Sequence, residues 1–275
     1  MRPTDLEAGR FARTGGRNRF TARQAHVADV RRLGDDFVRV TVTGPDFADF
    51  PEPGPADHVR LFFPREDDGV LVAPRAVGAA EDGIIRPDEP VISRDFTSAG
   101  VRRSAAGVEL DLDFLLHPDP GPAVRWAARA EEGDEIVVVG PRGSKHAPPG
   151  ADGFVLIVDG TALPSAAQWI RAADERPTTV LVSDPASVAQ AHVYFDAVGV
   201  TPTRIDQHDG TGADLVIGDG DFVFAAGEAN SLIPIRAALR AQALPPAQFA
   251  VSGYWRRGVV AFDHHAPLDP AHPDD

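Results

Sequence analysis

Apolar and polar positions alternate over short spans in the first half of the chain and give way to longer apolar runs in the second. "HVADVRRLGDDFVRVTVTG" (26–44) holds two strands joined by Gly-Asp-Asp, with Phe37, Val38, Val40 and Val42 in the second. "HVRLFFP" (58–64) is a strand stopped by Pro64, and "EDGIIRPDEPVISRDF" (81–96) adds strand broken by prolines. "VELDLDFLLH" (108–117) alternates apolar and acidic residues before turning fully apolar, as a half-buried strand does on entering a core. "DEIVVVG" (134–140) is one more strand. Among these strands, "GPAVRWAARAEEG" (121–133) has apolar residues at Ala123, Val124, Ala127 and Ala130 and reads as a short helix entered through Gly-Pro.

Beyond "HAPPGADG" (146–153) strand and helix take turns. "FVLIVDG", "TTVLVSD", Phe222–Ala226 and "QFAVSGYWRRG" are strands. "PSAAQWIRAADE" and "NSLIPIRAALRAQAL" are helices, the second with Pro234 in its first turn. The fold expected is α/β plus β-barrel: an antiparallel barrel over 21–146, then a Rossmann-like parallel α/β domain over 147–266. Residues 1–20 and 267–275 read as flexible tails.

A chain of 275 residues, 43% hydrophobic and 25% charged, supports two domains with real cores. Its net charge of −14 argues against nucleic-acid binding. With no cysteine, disulfides and cysteine-held iron–sulfur clusters are excluded, so any electron carrier is organic or held by other ligands. No apolar run is long enough for a membrane span, and the first 20 residues lack a signal-peptide core. A cytoplasmic protein without stable membrane association is expected.

Several stretches carry candidate chemistry. "ISRDFTSAGV" (92–101) holds Arg94, Phe96 and Thr97 together. A guanidinium, a flat ring and a hydroxyl on one strand, followed by a helix start at Gly121–Pro122, suit a flavin dinucleotide. Arg94 would neutralise pyrophosphate, Phe96 would stack on the isoalloxazine and Thr97 would bond its edge. The helix would offer backbone N–H groups to phosphate. The competing readings are a surface salt bridge for Arg94 and core packing for Phe96. "VDGTALP" (158–164) and "AAGEANS" (225–231) are strand ends turning into helices, where sheets of this class bind ligands. Ordinary βα turns are the competing reading, and no G-x-G-x-x-G is present. Asp184, after the second strand of this half, either meets a ribose 2′-hydroxyl, which favours NADH slightly over NADPH, or caps the next helix. Arg256 and Arg257 in "GYWRRG" form a basic patch in an acidic chain. Lys145, the only lysine, forms a second with Arg142 and His146. His264, His265 and His272 sit in a Pro- and Asp-rich tail, and no metal site is expected there.

These segments resemble the siderophore-interacting proteins, flavin-dependent ferric-siderophore reductases related to ferredoxin reductases. The likeness runs from about Thr21 to His265. It is carried by "TVTGPDF…PADHVRLFFP", "SRDFT", "LDLDFLLH…GPAVRWA…GD…VVGPRGS", "DGTALP", "AAGEAN" and "SGYWRRG". The resemblance implies FAD as cofactor, NADH or NADPH as electron donor and a ferric siderophore as acceptor, with iron(II) released. It implies cofactor contacts from Arg94, Phe96, Thr97, His117, Gly121, Pro122, Ala123, Val124 and Trp126 in the barrel. In the second domain it implies them from Asp159, Thr161, Ala162, Gly227, Glu228, Ala229, Tyr254 and Trp255. Phe96 and Thr97 would lie at the reacting ring, and Lys145, Arg256 and Arg257 would attract an anionic chelate. The chain departs from the family pattern at Phe96, where tyrosine is usual, at Ala99, where arginine is usual, and at Gly160, where an acid is usual. A flavin or chelate binder with little turnover, or a reductase serving another pathway, are the alternatives. Oligomeric state is not legible.

Overall fold

The computed structural model describes residues 9–272. Its chain divides into two compact units: residues 15–146, and residues 147–272 together with residues 9–14.

The first unit contains β1 (Gly15–Arg17), β2 (Ala22–Leu33), β3 (Phe37–Thr43), β4 (His58–Phe63), β5 (Arg75–Ala76), β6 (Ile84–Ile85), β7 (Ile92–Thr97), β8 (Gly100–Ser104), β9 (Gly107–Leu115), helix α1 (Pro122–Arg129), β10 (Glu135–Val139) and β11 (Gly143–Lys145). Seven of these strands form one antiparallel sheet in the order β7-β4-β10-β2-β3-β9-β8. The two edge strands are consecutive in the chain. At the corner between them Ser98 N–H donates to the Asp57 carbonyl (3.2 Å) and Ala99 N–H to that of Asp111 (2.9 Å), which curls the sheet into the expected barrel. Alternation does the sorting. Val38, Val40, Val42, Leu110, Leu112 and Phe114 line the core, and Trp126 and Ala127 of α1 pack onto it. The acidic positions between them are buried as well. Asp113 takes a two-pronged bond from Arg39 (2.6 and 2.7 Å), and Asp111 is bonded by Arg39, Thr41 and Arg102. Residues 71–84 lie over the other face of the sheet, with Leu71, Ala73 and Ile84 on Ala22, Phe62, Val137 and Val139.

The second unit contains β12 (Gly153–Val158), α2 (Leu163–Ala173), β13 (Thr178–Val182), α3 (Pro185–Val198), β14 (Arg204–Gln207), β15 (Asp221–Glu228), α4 (Ala229–Ala241) and β16 (Phe249–Trp255). Its five strands are all parallel, in the order β14-β13-β12-β15-β16. A parallel sheet buries both faces, which explains its uninterrupted apolar runs. Val155, Ile157, Val223 and Ala225 pack on Leu232, Ile235 and Leu239 of α4. Phe154, Phe222 and Phe224 face Trp169 of α2, at 5.6, 5.2 and 5.3 Å between centroids.

Four expectations change. Of the expected tail 1–20, residues 1–8 lie outside the described residues and 9–20 are packed: Phe11 is 2% exposed, Arg10 bonds the Gly150 carbonyl (2.7 Å), Arg13 lies 5.0 Å over the Trp169 ring, and β1 pairs with β11. At the other end Leu268 is buried in the α4 core, so the 267–272 part of the second expected tail is packed, while 273–275 lie outside the described residues. Pro234 falls inside α4 rather than in its first turn, because Glu228 caps the helix one turn earlier through Ser231 N–H (2.7 Å). Finally, α3 and β14 escape the pattern. The apolar residues of α3 spread around the helix and only Ala191, Tyr194 and Phe195 are buried, while β14 is a four-residue edge strand. Among the described residues no helix is long and apolar enough to cross a membrane.

Candidate functional site

In the barrel unit the candidates gather on β7 and at the start of α1, which packs against it. β7 is an edge strand whose six residues are all half-buried. Register sorts them. Arg94 pairs with Leu61 and Phe96 with Val59, both fully buried, so these two side chains share the core-side face. Thr97 pairs with His58 and takes the opposite face. The three groups are thus adjacent in the chain but not on one surface. The Arg94 guanidinium donates to the Ser93 carbonyl (2.7 Å), and among the described residues it has no ion pair with an acid. The surface salt bridge is therefore not what holds it. The Phe96 ring leans on Phe114 (4.3 Å) and Phe63 (6.4 Å), joining the core aromatics while remaining half-exposed.

Helix α1 begins at Pro122 after Gly121, which gives no side-chain cap, so its first N–H groups are open to an acceptor. Gly121 is exposed, Pro122 and Val124 half-exposed, and His117 exposed. Ala123 and Trp126 are 3% and 4% exposed, with Trp126 5.2 Å from Phe63. Their side chains are spent on the core. Ala123 keeps only its backbone for a ligand, and Trp126 serves by seating the helix. Lys145 is exposed on β11, and its backbone N–H donates to Asp57 (3.3 Å).

In the α/β unit the candidates meet at the carboxyl ends of β12, β15 and β16. Asp159 accepts four hydrogen bonds: Thr161 N–H (2.9 Å) and hydroxyl (2.5 Å) on one oxygen, Glu228 N–H (2.9 Å) and the Trp255 indole N–H (2.8 Å) on the other. Burial pushes its pKa up against the opposing pull of those donors, the Thr161 hydroxyl first. Gly227 has φ +147° and lies so close to Asp159 that a Cβ would meet its carboxylate at 2.5 Å. Only glycine fits there. Glu228 is also engaged, by Ser231 N–H (2.7 Å) and Arg257 N–H (3.1 Å). Burial raises its pKa, but these donors together hold it below the ordinary value. Ala162 and Ala229 are fully buried, leaving only backbone to a ligand. Tyr254 turns to α2, its hydroxyl 2.7 Å from that of Ser165, a polar residue that a helical apolar pattern gives no reason to single out.

One open reading is decided and one needs correction. The Asp184 carboxylate caps α3, taking Ser187 N–H (3.0 Å) and the hydroxyls of Ser187 (2.7 Å) and Ser183 (3.0 Å), and the Ser187 bonds hold its pKa low. Its oxygens are spent on the helix start, so the reason for favouring NADH falls away. Arg256 is not an outward cation: it donates to the Leu268 carbonyl (2.7 Å) and lies 5.0 Å over the Phe262 ring. Arg257 is exposed. In the C-terminal stretch His272 pairs with Asp269 (2.9 Å).

Residues 26–145 match the model of the siderophore-interacting FAD-binding domain, and 151–258 that of the siderophore-interacting protein. A crystal structure of a siderophore utilization protein from T. fusca is 34% identical, with a TM-score of 0.74 over 93% of this chain and 100% of that one. The NADPH-dependent ferric-chelate reductase of Escherichia coli is 28% identical over 87% of this chain and 94% of its own length. The ferric vibriobactin reductase of Vibrio cholerae is 32% identical, but the match spans only 48% of this chain and 47% of that protein, about half of each. With both halves matched in order, and a 34% identical relative covered from end to end, the chain belongs to the siderophore-interacting protein family.

Proposed function

We propose that this protein is an FAD-dependent reductase that passes electrons from NADH or NADPH to iron(III) held in a siderophore, from which iron(II) then leaves. The observation that carries the reading is on β7. There a half-buried arginine without an ion pair among the described residues, and a half-exposed aromatic ring, lie on an edge strand packed against an uncapped helix start. This donor set suits the dianionic pyrophosphate and flat ring of FAD. Arg94 neutralises the pyrophosphate, the N–H groups around Gly121–Val124 bond its oxygens and Phe96 supports the ring, whereas the Thr97 side chain lies on the opposite face of β7 and does not share that surface. Bound flavin supplies the conversion of a two-electron donor into single electrons. In the other unit the backbone turns at Thr161–Ala162 and Gly227–Ala229 offer a dinucleotide close approach at the carboxyl ends of the strands. Iron is cargo here. Because iron(II) is softer than iron(III), it binds hard oxygen ligands less tightly, and the protein need not coordinate it.

The names of two relatives, a ferric vibriobactin reductase and an NADPH-dependent ferric-chelate reductase, support the acceptor and the donor class. With Asp184 spent as a cap, NADPH stands level with NADH. The test is an absorption spectrum of the purified protein, taken aerobically, then anaerobically with NADPH or NADH, then after a ferric chelate is added. Flavin absorbance that bleaches and returns is expected. A colourless protein fails the reading, and a yellow one that never bleaches is a binder without turnover.

A further inference from the structure

The clasp around Trp255 does more than close the end of a sheet. β15 and β16 run in register from Val223–Phe249 to Gly227–Gly253. The register then slips, so that Glu228 pairs with Trp255 and Tyr254 is the extra residue. Such a bulge re-aims the side chains on either side of it. Tyr254 turns toward Ser165, and Trp255 turns its N–H to Asp159, a residue 96 positions away (2.8 Å). The approach requires a glycine at 227, because a Cβ there would strike the Asp159 carboxylate. Three features therefore act together on one indole: a bulge, a glycine in a conformation that side chains avoid, and a half-buried acid. The indole is also unlike the other two. Trp126 and Trp169 are 4% and 0% exposed and belong to cores, whereas Trp255 is 36% exposed at the carboxyl edge of the sheet.

We infer that Asp159 is a positioning residue that fixes the Trp255 indole as a platform for the flat ring of a nicotinamide dinucleotide. On this view Asp159 does not touch the dinucleotide. It acts through Trp255, with its other oxygen tied to Thr161 so that the carboxylate cannot turn away. An indole held by its N–H keeps its faces free, and flat rings stack on such faces. The inference rests on the reading of the protein as a nicotinamide-dependent reductase.

The experiment uses the full chain and the oxidised dinucleotides NAD+ and NADP+, so that binding is measured without turnover. Asp159→Ala and Trp255→Phe are compared with the unaltered protein by calorimetric titration, and Asp159→Ala and Asp159→Asn also by acrylamide quenching of tryptophan emission. Because Trp126 and Trp169 are buried, quenching reports on Trp255. Each single change should weaken dinucleotide binding by about fivefold, and the double change should weaken it no further, because residues that act as one unit are not additive. Quenching should rise in both Asp159 variants as the indole is released. Losses that multiply in the double variant would show that Asp159 acts on its own, and would overturn the inference. So would a lowered melting temperature with affinity and quenching unchanged, which is the signature of a purely structural tie. If the unaltered protein bound neither dinucleotide, the proposed function would fall and the inference with it. If it bound and both single variants bound equally well, the inference alone would fall.

Discussion

Arg94 shows how much a single residue's surroundings can narrow its role. Its guanidinium is half-buried and bonded only to its neighbour's carbonyl, without the carboxylate that most of the half-buried arginines of this unit have found. A charge-assisted bond to pyrophosphate is worth roughly 1.5–3 kcal/mol, so Arg94→Ala should weaken FAD binding by about ten- to a hundredfold. Flavin retained after dialysis, read by absorbance, is the measure. Phe96 is a different case. Its ring is already part of an aromatic cluster with Phe63 and Phe114, so its removal costs core packing whatever it does for a cofactor. Arg94 is the cleaner probe of the site.

At the scale of elements, the carboxyl edge of the parallel sheet is built from capped helix starts. Asp184 caps α3 and Glu228 caps α4, each through a backbone N–H. Losing such a cap costs about 1 kcal/mol. Asp184→Ala should therefore lower stability by about that amount and leave the preference between NADH and NADPH unchanged, as steady-state rates with each donor would show. Acid should act on the same bonds. Both carboxylates are held below their ordinary range when folded. As the pH falls, the unfolded chain takes up protons first, so this contribution is complete above the ordinary carboxylate range and drains away as the pH drops toward the folded values. Melting temperatures followed from pH 7 downward should fall with acid, and less steeply in Asp184→Ala. The bulge at Gly227–Glu228 belongs to this scale too, since one extra residue in β16 decides which aromatic faces Asp159.

The whole molecule adds two properties that no element has by itself. One is that the α/β unit is discontinuous: Phe11, from the start of the chain, is 2% exposed. Deleting a buried phenylalanine side chain costs about 3–5 kcal/mol, so Phe11→Ala should destabilise the protein on that scale in urea unfolding, which a true tail residue would not do. The other is the field. With a net charge of −14, the protein repels anionic chelates at long range. Exposed Arg257 offers local attraction, whereas Arg256 is tied to Leu268 and Phe262. At low salt Arg257→Ala should slow reoxidation by an anionic ferric chelate by about two- to tenfold and spare a neutral one. The difference should shrink near 0.15 M salt, where the screening length is only ~8 Å. Arg256→Ala should instead lower the melting temperature and affect both chelates alike.

The sequence by itself determined the strands of the barrel, the parallel sheet after residue 153, most of the helices and the family. These rest on local periodicity: Val38, Val40 and Val42 alternate whatever they pack against, and a continuous run such as "FVLIVDG" has to be buried on both faces. It also marked Arg94, Asp159, Glu228 and Trp255 as residues of interest. Tertiary structure decided what each of them does. The pairing of β7 with β4 put Thr97 on the opposite face from Phe96. Helix starts consumed Asp184 and Glu228, and Trp255 found its acceptor 96 residues away. α3 and β14 stayed hidden because a helix whose apolar residues are spread around its axis and a short edge strand carry little pattern. The N-terminal residues read as a tail because Phe11 stands among glycines, arginines and polar residues with no sustained apolar period, and its burial exists only once the α/β unit has folded around it. Periodicity reports which face of an element is apolar. A hydrogen-bond partner or a docking pocket is supplied by residues distant in the chain, and only the folded chain brings them together.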